Sequence, residues 1–306
     1  QIPCGKTADI SRRRFMEGKI IKGIGGFYYV QTSQGLVECK ARGSFRKDKK
    51  KPTVGDMVKV RLLDGQPPNG SVEEILPRKN LLVRPAVANV DQALIIFASV
   101  DPEPNFNLLD RFLVMMEKQN VPTVICFNKT DLADNARMRH LEEIYGSSGY
   151  PLHFISVQEK KGLSDLREIL SGKTTVLAGP SGVGKSSLIN YLKPDANMET
   201  GEISEKIKRG RHTTRHSEFF CIGKDTYILD TPGFSSIYLE DISPQELKQY
   251  FPEFVPYEED CRFTSCMHVG ERECGVKAAV EQGKISRLRY DDYVMLYQEL
   301  KEKKKY

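Results

Sequence analysis

The sequence lacks any long apolar run. Its longest strongly apolar stretch covers residues 93–100, whereas a membrane-spanning helix needs about 20 such residues. The first residues also lack the charged-then-apolar pattern of a secretory signal peptide. We therefore expect a protein that is neither inserted into a membrane nor secreted.

The cysteines lack the pattern of a disulfide-stabilised secreted domain. There are seven of them in 306 residues, an odd number at irregular spacing, which favours reduced thiols and a cytoplasmic location. Hydrophobic residues make up 39% of the chain and charged residues 28%. This balance supports packed cores and argues against wholesale disorder.

Residues 1–15 lack hydrophobic periodicity, and a strand pattern opens only at Met16. We interpret residues 1–15 as an artificial leader and leave them out of the fold prediction. The alternative is a natural disordered arm, in which the arginines of 12–14 would form a weak RNA-binding tail.

Positive charge is concentrated near the N-terminus. Residues 16–61 carry 11 Lys and Arg against 4 Asp and Glu, whereas residues 62–306 carry 31 against 36. A small basic segment indicates a polyanionic partner, although such charge also forms ordinary solvated surfaces. We favour nucleic acid as the partner.

Residues 16–77 predict a small β-barrel domain. About five short strand-like runs, separated by Gly, Asp and Pro, fit a closed barrel of the OB type, which binds oligonucleotides. The basic stretch 44–51 would form a loop. The aromatic residues that could stack on bases are Phe27, Tyr28, Tyr29 and Phe45. Because strand residues alternate, some of these four must fill the barrel instead.

After a predicted linker over residues 76–88, strands and helices alternate through a domain predicted at residues 78–240. This alternation is typical of βαβ units around a parallel sheet, an α/β fold. The predicted strands are 91–100, 122–127, 152–156 and 174–178, and the predicted helices are 108–119, 136–145 and 163–170. Residues 241–306 would form a mainly helical domain with helices at 244–250 and 287–305.

A phosphate-binding loop is predicted where GPSGVGKS follows a strand and precedes a helix. Its glycines let backbone N–H groups face phosphate oxygens, and the helix N-terminus adds positive charge. Lys185 can reach the β- and γ-phosphates, and Ser186 can ligate Mg²⁺. The predicted phosphate-binding residues are Gly179, Pro180, Ser181, Gly182, Val183, Gly184, Lys185, Ser186 and Ser187.

The sequence DTPG begins at Asp230, directly after the predicted strand 227–229. A carboxylate that leaves a strand beside a phosphate loop is the usual second anchor for Mg²⁺. Gly233 can bring a backbone N–H to the γ-phosphate. A turn without any ligand is the alternative, which we reject because of the neighbouring phosphate loop.

The sequence NKTD follows the strand 122–127 and predicts guanine binding. The carboxylate of Asp131 can accept hydrogen bonds from guanine N1–H and N2–H₂, whereas adenine would leave it unpaired. Asn128 can bridge the base and the loops, and the stem of Lys129 can cover the base. The predicted guanine-binding residues are Asn128, Lys129, Thr130, Asp131, Ser156 and Val157, the last two for a backbone contact to O6.

A cysteine-rich pattern, C-x4-C-x-H-x5-C, is formed by Cys261, Cys266, His268 and Cys274. Four such ligands so close together are typical of a closed, tetrahedral, structural zinc site without catalysis at the metal. The alternative is three core thiols and a surface histidine, which the polar surroundings disfavour.

The order of the motifs is informative. Regular GTPases run from the phosphate loop to DxxG and then NKxD, but here 128–131 precedes 179–186 and 230–233 comes last, so the domain is circularly permuted. With GRHTTRH, DTPGF, the basic barrel and the Cys/His cluster, the chain from residue 16 onward resembles the ribosome small-subunit-dependent GTPase A family, bacterial assembly GTPases. The resemblance implies GTP hydrolysis stimulated by the 30S ribosomal subunit, contact with 16S rRNA, and a role in late maturation of that subunit. It also supports the zinc site.

The long polar stretch 193–216 predicts a switch that only a ligand orders. Either Thr213 or Thr214 should reach Mg²⁺, and we favour Thr214. Phe234 stands where many GTPases carry a water-orienting Gln, so turnover should be slow without a partner. His212 is our candidate to position the water; alternatively it contacts only rRNA phosphate or solvent.

These features bear on three alternative functions. We favour a monomeric GTPase whose cycle times its docking on the small subunit. An RNA-binding assembly module, in which GTP is mainly a structural or gating ligand, is the alternative that Phe234 supports. A third, an ATP-using kinase or transporter subunit, conflicts with Asp131.

Overall fold

The computed structural model describes residues 15–43, 45, 51–63, 68–83, 85–198, 218–230, 239 and 241–303. They divide into two compact units, the first made of the described residues up to Asn89 together with Glu218 and Phe219, and the second of the others. None of the helices within these ranges is long and apolar enough to span a bilayer. Residues 1–14 of the predicted leader lie outside the described residues, and the predicted domain boundaries stay predictions.

Five strands form a closed barrel in the first unit, which confirms the OB-type prediction. They are β1 (Phe15–Ile24), β2 (Phe27–Thr32), β3 (Gly35–Ala41), β4 (Met57–Leu63) and β5 (Asn69–Ile75), in the order β1-β2-β3-β5-β4. Among the described strands of the barrel, only β3 and β5 pair in parallel. Small apolar residues fill the interior: Ile20, Val30, Val37, Cys39, Val58, Val60 and Val72.

Strand alternation separates the aromatic residues of this barrel. Tyr28 and Phe45 pack against its core. Phe27 and Tyr29 lie on the opposite face of β2, where the Lys40 ammonium is 5.0 Å from the centre of the Phe27 ring and Glu38 hydrogen-bonds to the Tyr29 side chain. Two of the four predicted stacking residues therefore face outward. Of the predicted basic loop, residues 44 and 46–50 lie outside the described residues.

The predicted linker at 76–88 is instead a structured extension of the barrel unit. Strands β6 (Leu81–Leu82) and β7 (Val87–Ala88) pair as a small antiparallel hairpin. The Arg78 guanidinium donates to both oxygens of the buried Asp56 carboxylate, at 2.7 and 2.8 Å. This two-point ion pair and the hairpin hold the described part of the segment in place, whereas its prolines alone indicate a linker.

The second unit contains the predicted α/β sheet. Six strands lie in the order β10-β9-β8-β11-β13-β12. Their bounds are β8 Gln92–Ala98, β9 Thr123–Asn128, β10 Leu152–Phe154, β11 Thr174–Ala178, β12 Phe219–Gly223 and β13 Thr226–Asp230. The neighbours from β10 to β13 pair in parallel. Every residue of β8, β9 and β11 is buried, which explains their unbroken apolar runs.

Helices connect these strands at nearly the predicted positions. They are α1 (Phe106–Lys118), α2 (Asn135–Tyr145), α3 (Leu163–Leu170) and α4 (Lys185–Leu192). Asn105 and Asp134 cap α1 and α2, because each side chain accepts a hydrogen bond from a backbone N–H of the first turn. Strand β12 was not predicted, since it follows directly on the long polar stretch.

The C-terminal part differs from prediction at two places. Instead of an α-helix at 244–250, there are two 3₁₀ helices, Leu247–Tyr250 and Pro252–Tyr257, because Pro252 cannot continue the first one. Helix α5 (Gly275–Glu281) was missed, whereas α6 (Arg287–Lys303) confirms the predicted last helix.

Candidate functional site

The predicted nucleotide motifs meet at the carboxyl edge of the sheet. The parallel register pairs Ala98 with Asn128 and Leu177 with Asp230. The carboxyl ends of β9, β11 and β13 therefore lie at the same edge, which is where open α/β sheets bind their ligands.

Close backbone approaches shape the phosphate loop. Gly179 and Gly184 have φ angles of +147° and +96°, a region that favours glycine. A Cβ atom at Gly179 would lie 2.0 Å from the Ile96 carbonyl oxygen, and one at Gly184 would lie 2.3 Å from Asn128 Nδ2. The loop can therefore fold this way only with glycine at these two positions.

Lys185 places positive charge on this loop. Its ammonium donates hydrogen bonds to the carbonyl oxygens of Gly179 at 2.9 Å and Pro180 at 2.5 Å. Because Lys185 is also the first residue of α4, its charge lies beside the positive end of a helix dipole. The arrangement suits an anionic phosphate.

Asn128 connects three of the predicted motifs. Its buried side-chain amide donates to the Val183 carbonyl oxygen at 2.8 Å. Its carbonyl oxygen accepts a hydrogen bond from the Val157 backbone N–H at 3.2 Å. The phosphate loop and the segments after β9 and β10 are thereby joined through one side chain.

Asp131 is exposed but held in orientation by a neighbouring segment. Its Oδ1 accepts a hydrogen bond from the buried Ser156 hydroxyl at 2.5 Å, and that hydroxyl accepts one from the Glu159 backbone N–H at 2.9 Å. The Lys129 ammonium donates to the Asp101 carbonyl oxygen at 2.5 Å. A carboxylate that is exposed and preoriented is suited to a ligand with two adjacent N–H donors.

Part of the predicted site lies outside the described residues, namely His212, Thr213, Thr214, Gly233 and Phe234. A contact that supports the base site was not predicted: the buried Ser99 hydroxyl donates to the backbone carbonyl oxygen of Asn128 at 3.0 Å. Ser99 belongs to no motif, so no local signal marked it.

The predicted metal ligands come together. One ligand atom from each of Cys261, Cys266, His268 and Cys274 lies within 4.8 Å of all the others. The Sγ atoms of Cys261 and Cys274 are 3.8 Å apart, and His268 Nδ1 lies 3.6 and 3.4 Å from them. Tetrahedral zinc bond lengths require about 3.8 Å between two sulfurs and about 3.6 Å between nitrogen and sulfur. The cluster therefore has the spacing to hold a metal ion.

The environment of the thiols also suits a cation. Burial raises the pKa of Cys266 to about 12 and also raises the pKa of Cys274, so charged thiolates need a compensating positive ion. Backbone N–H groups of Gly275 and Lys277 point at the Sγ atoms of Cys261 and Cys274, at 3.3 and 3.5 Å.

A support of this cluster was not predicted either. Glu258 Oε1 lies 3.1 Å from His268 Nε2, and the hydroxyls of Tyr290 and Tyr293 donate to the carbonyl oxygens of His268 and Met267 at 2.7 and 2.6 Å. The tyrosines lie on α6, 22 and 26 residues along the chain from the residues they bind, so only the fold reveals them.

Two family models match the chain: RsgA GTPase over residues 75–240, and RsgA N-terminal domain over residues 17–67. A small ribosomal subunit biogenesis GTPase RsgA of Agathobacter rectalis is 55% identical over 302 residues, covering 95% of this chain and 100% of the relative. A protein of the same description from Alkaliphilus metalliredigens is 46% identical over 290 residues, covering 95% and 99%.

Two solved structures resemble the fold. YjeQ from Thermotoga maritima has a TM-score of 0.79 at 38% identity, covering 94% of this chain and 99% of that one. YloQ, described as a circularly permuted GTPase, has a TM-score of 0.78 at 36% identity, covering 97% and 99%.

Proposed function

Because the chain belongs to the RsgA GTPase family and is a circularly permuted GTP hydrolase, we propose that its GTP cycle acts in late maturation of the small (30S) ribosomal subunit. The supporting observation is the convergence of NKTD, the phosphate loop and Asp230 at one sheet edge, in a chain whose relatives are named for biogenesis of that subunit.

Guanine is recognised by Asp131, which accepts hydrogen bonds from N1–H and N2–H₂ of the base. Ser156 holds the carboxylate in place, and Asn128 keeps the base and phosphate loops in register. Lys129 and Thr130 complete this side, and the backbone at Ser156 and Val157 approaches O6. ATP lacks the donor pair, so it is rejected.

The phosphates are bound by residues 179–187 and the Lys185 ammonium. Ser186 and Thr214 ligate Mg²⁺ and Asp230 anchors it, which suits the register of Asp230 beside β11. When bound, Mg²⁺ neutralises phosphate charge. Gly233 donates its backbone N–H to the γ-phosphate, and His212 positions the attacking water.

The Cys/His cluster holds one structural Zn²⁺ and takes no part in the hydrolysis. Three sulfurs and an imidazole nitrogen are the ligands that zinc prefers in closed sites, and their spacing fits its bond lengths. The ion would keep the loop 261–274 folded.

The barrel contacts 16S rRNA. Phe27 and Tyr29 lie on the outer face of β2, and Lys40 adds a cation beside Phe27. An aromatic ring flanked by a cation can stack on a base while attracting phosphate. The protein acts in the cytoplasm, as a monomer.

Phosphate release from GTP tests the proposal. We would measure it for wild type and His212→Ala, alone and with purified 30S or 50S subunits. We expect 30S subunits to stimulate phosphate release and 50S subunits to leave it unchanged. If His212→Ala still binds 30S subunits but is no longer stimulated by them, His212 takes part in the hydrolysis. If 30S subunits do not change the turnover of wild type, the proposed coupling of GTP hydrolysis to the subunit is wrong. The alternative, an RNA-binding module gated by GTP, would then be favoured.

A further inference from the structure

The two ring nitrogens of His268 face different partners. Nδ1 points at the thiols, 3.4 Å from Cys274 Sγ and 3.6 Å from Cys261 Sγ. Nε2 lies 3.1 Å from Glu258 Oε1. A neutral imidazole carries its proton on one nitrogen and a lone pair on the other, so a carboxylate beside Nε2 decides which nitrogen is free for a metal.

We propose that Glu258 is a positioning residue of the metal centre, which accepts a hydrogen bond from His268 Nε2–H and thereby presents Nδ1 to the metal. The inference rests on the zinc site proposed above. A metal-bound histidine generally donates its other N–H to such an acceptor, and loss of that acceptor weakens metal binding by about 10–100-fold.

A second charge holds the carboxylate in place. The Lys248 ammonium lies 3.1 Å from Glu258 Oε1, the same oxygen that faces His268, and the Lys248 side chain is only 15% exposed. Lys248 belongs to the 3₁₀ helix Leu247–Tyr250, so the carboxylate is bound from an element outside the metal loop. This ion pair holds Oε1 beside His268 Nε2, where a carboxylate oxygen can accept the ring N–H.

The imidazole has little freedom to turn elsewhere. His268 is buried and its backbone has a φ of +59°, a region that few residues other than glycine adopt. The Phe254 ring packs edge-on against it at 5.7 Å between ring centres, and Tyr290 binds its carbonyl oxygen at 2.7 Å. Of the groups that contact this side chain, Glu258 is the one that selects the tautomer.

Zinc competition on the full-length, zinc-loaded protein tests this role. Glu258→Ala and Glu258→Gln would be compared with wild type and with Glu259→Ala, which removes the exposed carboxylate next in the chain. A chromophoric zinc chelator reports the affinity. We expect a 10–100-fold weaker affinity for Glu258→Ala, a smaller loss for Glu258→Gln because its amide oxygen still accepts, and wild-type affinity for Glu259→Ala.

Long-range ¹H–¹⁵N NMR of His268 gives an independent readout, with Nδ1 bound to zinc and Nε2 protonated in wild type. A ring coordinated through Nε2, or equal zinc affinity in Glu258→Ala and Glu259→Ala, would overturn the role of Glu258. Wild-type protein that takes up no zinc would instead overturn the zinc site itself. If Glu258→Ala does not fold, as judged by circular dichroism, Glu258→Gln and the wild-type spectrum still decide the question.

Discussion

The guanidinium of Arg289 in α6 lies 2.7 Å from the carboxylate of Asp110 in α1, and both side chains are almost completely buried. The same guanidinium lies 2.7 Å from Glu253 and 4.7 Å from the centre of the Phe251 ring. Tyr145 of α2 donates to Asp110 at 2.9 Å. One arginine thus joins the last helix to two helices of the GTPase sheet.

Loss of this cation should be strongly destabilising. Arg289→Met leaves Asp110 and Glu253 buried without a positive partner, and breaking a buried ion pair from one side costs about 3–5 kcal/mol. We expect that decrease in the free energy of unfolding, measured by urea denaturation. Arg287→Met, at an exposed position of the same helix, should stay within about 0.5 kcal/mol of wild type. A decrease below about 1 kcal/mol for Arg289→Met would contradict the assignment.

The contact between α1 and α6 also contributes a pH-dependent part of the stability. Hydrogen bonding from Arg111 and Lys303 lowers the pKa of Glu299 to about 2. A carboxylate whose folded pKa is depressed stabilises the fold above its unfolded pKa of about 4.3, and that contribution is lost as the pH falls toward 2. The thermal midpoint of wild type should exceed that of Glu299→Gln, and this difference should shrink as the pH is lowered from about 5 to about 3.

Glu302→Gln, on an exposed position of the same helix, is the matched control for that titration. The difference in thermal midpoint between Glu302→Gln and wild type should change little over the same pH range. If the difference in thermal midpoint between wild type and Glu299→Gln stays constant down to pH 3, Glu299 does not stabilise the fold through its charge.

Asp131 should decide the choice of base. Asp131→Asn replaces an acceptor oxygen by an amide donor opposite guanine N2–H₂, so GTP affinity should fall by at least about 100-fold, since unpaired buried polar groups discriminate strongly. Xanthosine triphosphate, whose C2 carbonyl can accept from that amide, should bind the variant better than GTP does. Fluorescent-nucleotide titration measures both, and Asp165→Asn on the exposed side of α3 is the control. Unchanged GTP affinity in Asp131→Asn would exclude this residue from the base site.

Gly184 tests the contact between the phosphate loop and the base motif. Gly184→Ala would place a methyl group 2.3 Å from Asn128 Nδ2, so Asn128 must move and GTP affinity should fall by about tenfold or more. Gly172→Ala is the control, because Gly172 also has a positive φ, +68°, but has open space around it. Both variants carry backbone strain of about 1–2 kcal/mol, so only a loss of GTP binding specific to Gly184→Ala supports the contact.

Metal content separates the clustered thiols from the isolated ones. Cys274→Ser should lower the zinc content well below one ion per chain, since a hydroxyl replaces a preferred thiolate ligand. Cys221→Ser, at a half-buried position on β12, should keep the wild-type content. Elemental analysis of the purified proteins measures both, and equal zinc in the two variants would rule out Cys274 as a ligand.

Local patterns in the sequence were sufficient for most of the fold. Alternation and turn residues located the barrel strands, and unbroken apolar runs located β8, β9 and β11, because strand burial repeats over neighbouring residues. Helix α3 and strand β11 have the bounds predicted for them. The 3₁₀ helix at Pro252–Tyr257 and helix α5 were not predicted, since pieces of six or seven residues carry little periodicity.

The sequence alone determined the family, the permuted order of the motifs and the members of the Cys/His cluster, because each of these rests on short motifs that can be read along the chain. Only the tertiary structure decided which aromatics leave the barrel, that Ser99 supports Asn128, that Glu258 faces His268, and that Arg289 pairs with Asp110. These partners are 10 to 179 residues apart and share no motif. The folded backbone brings them together, and burial then makes each hydrogen bond or ion pair matter.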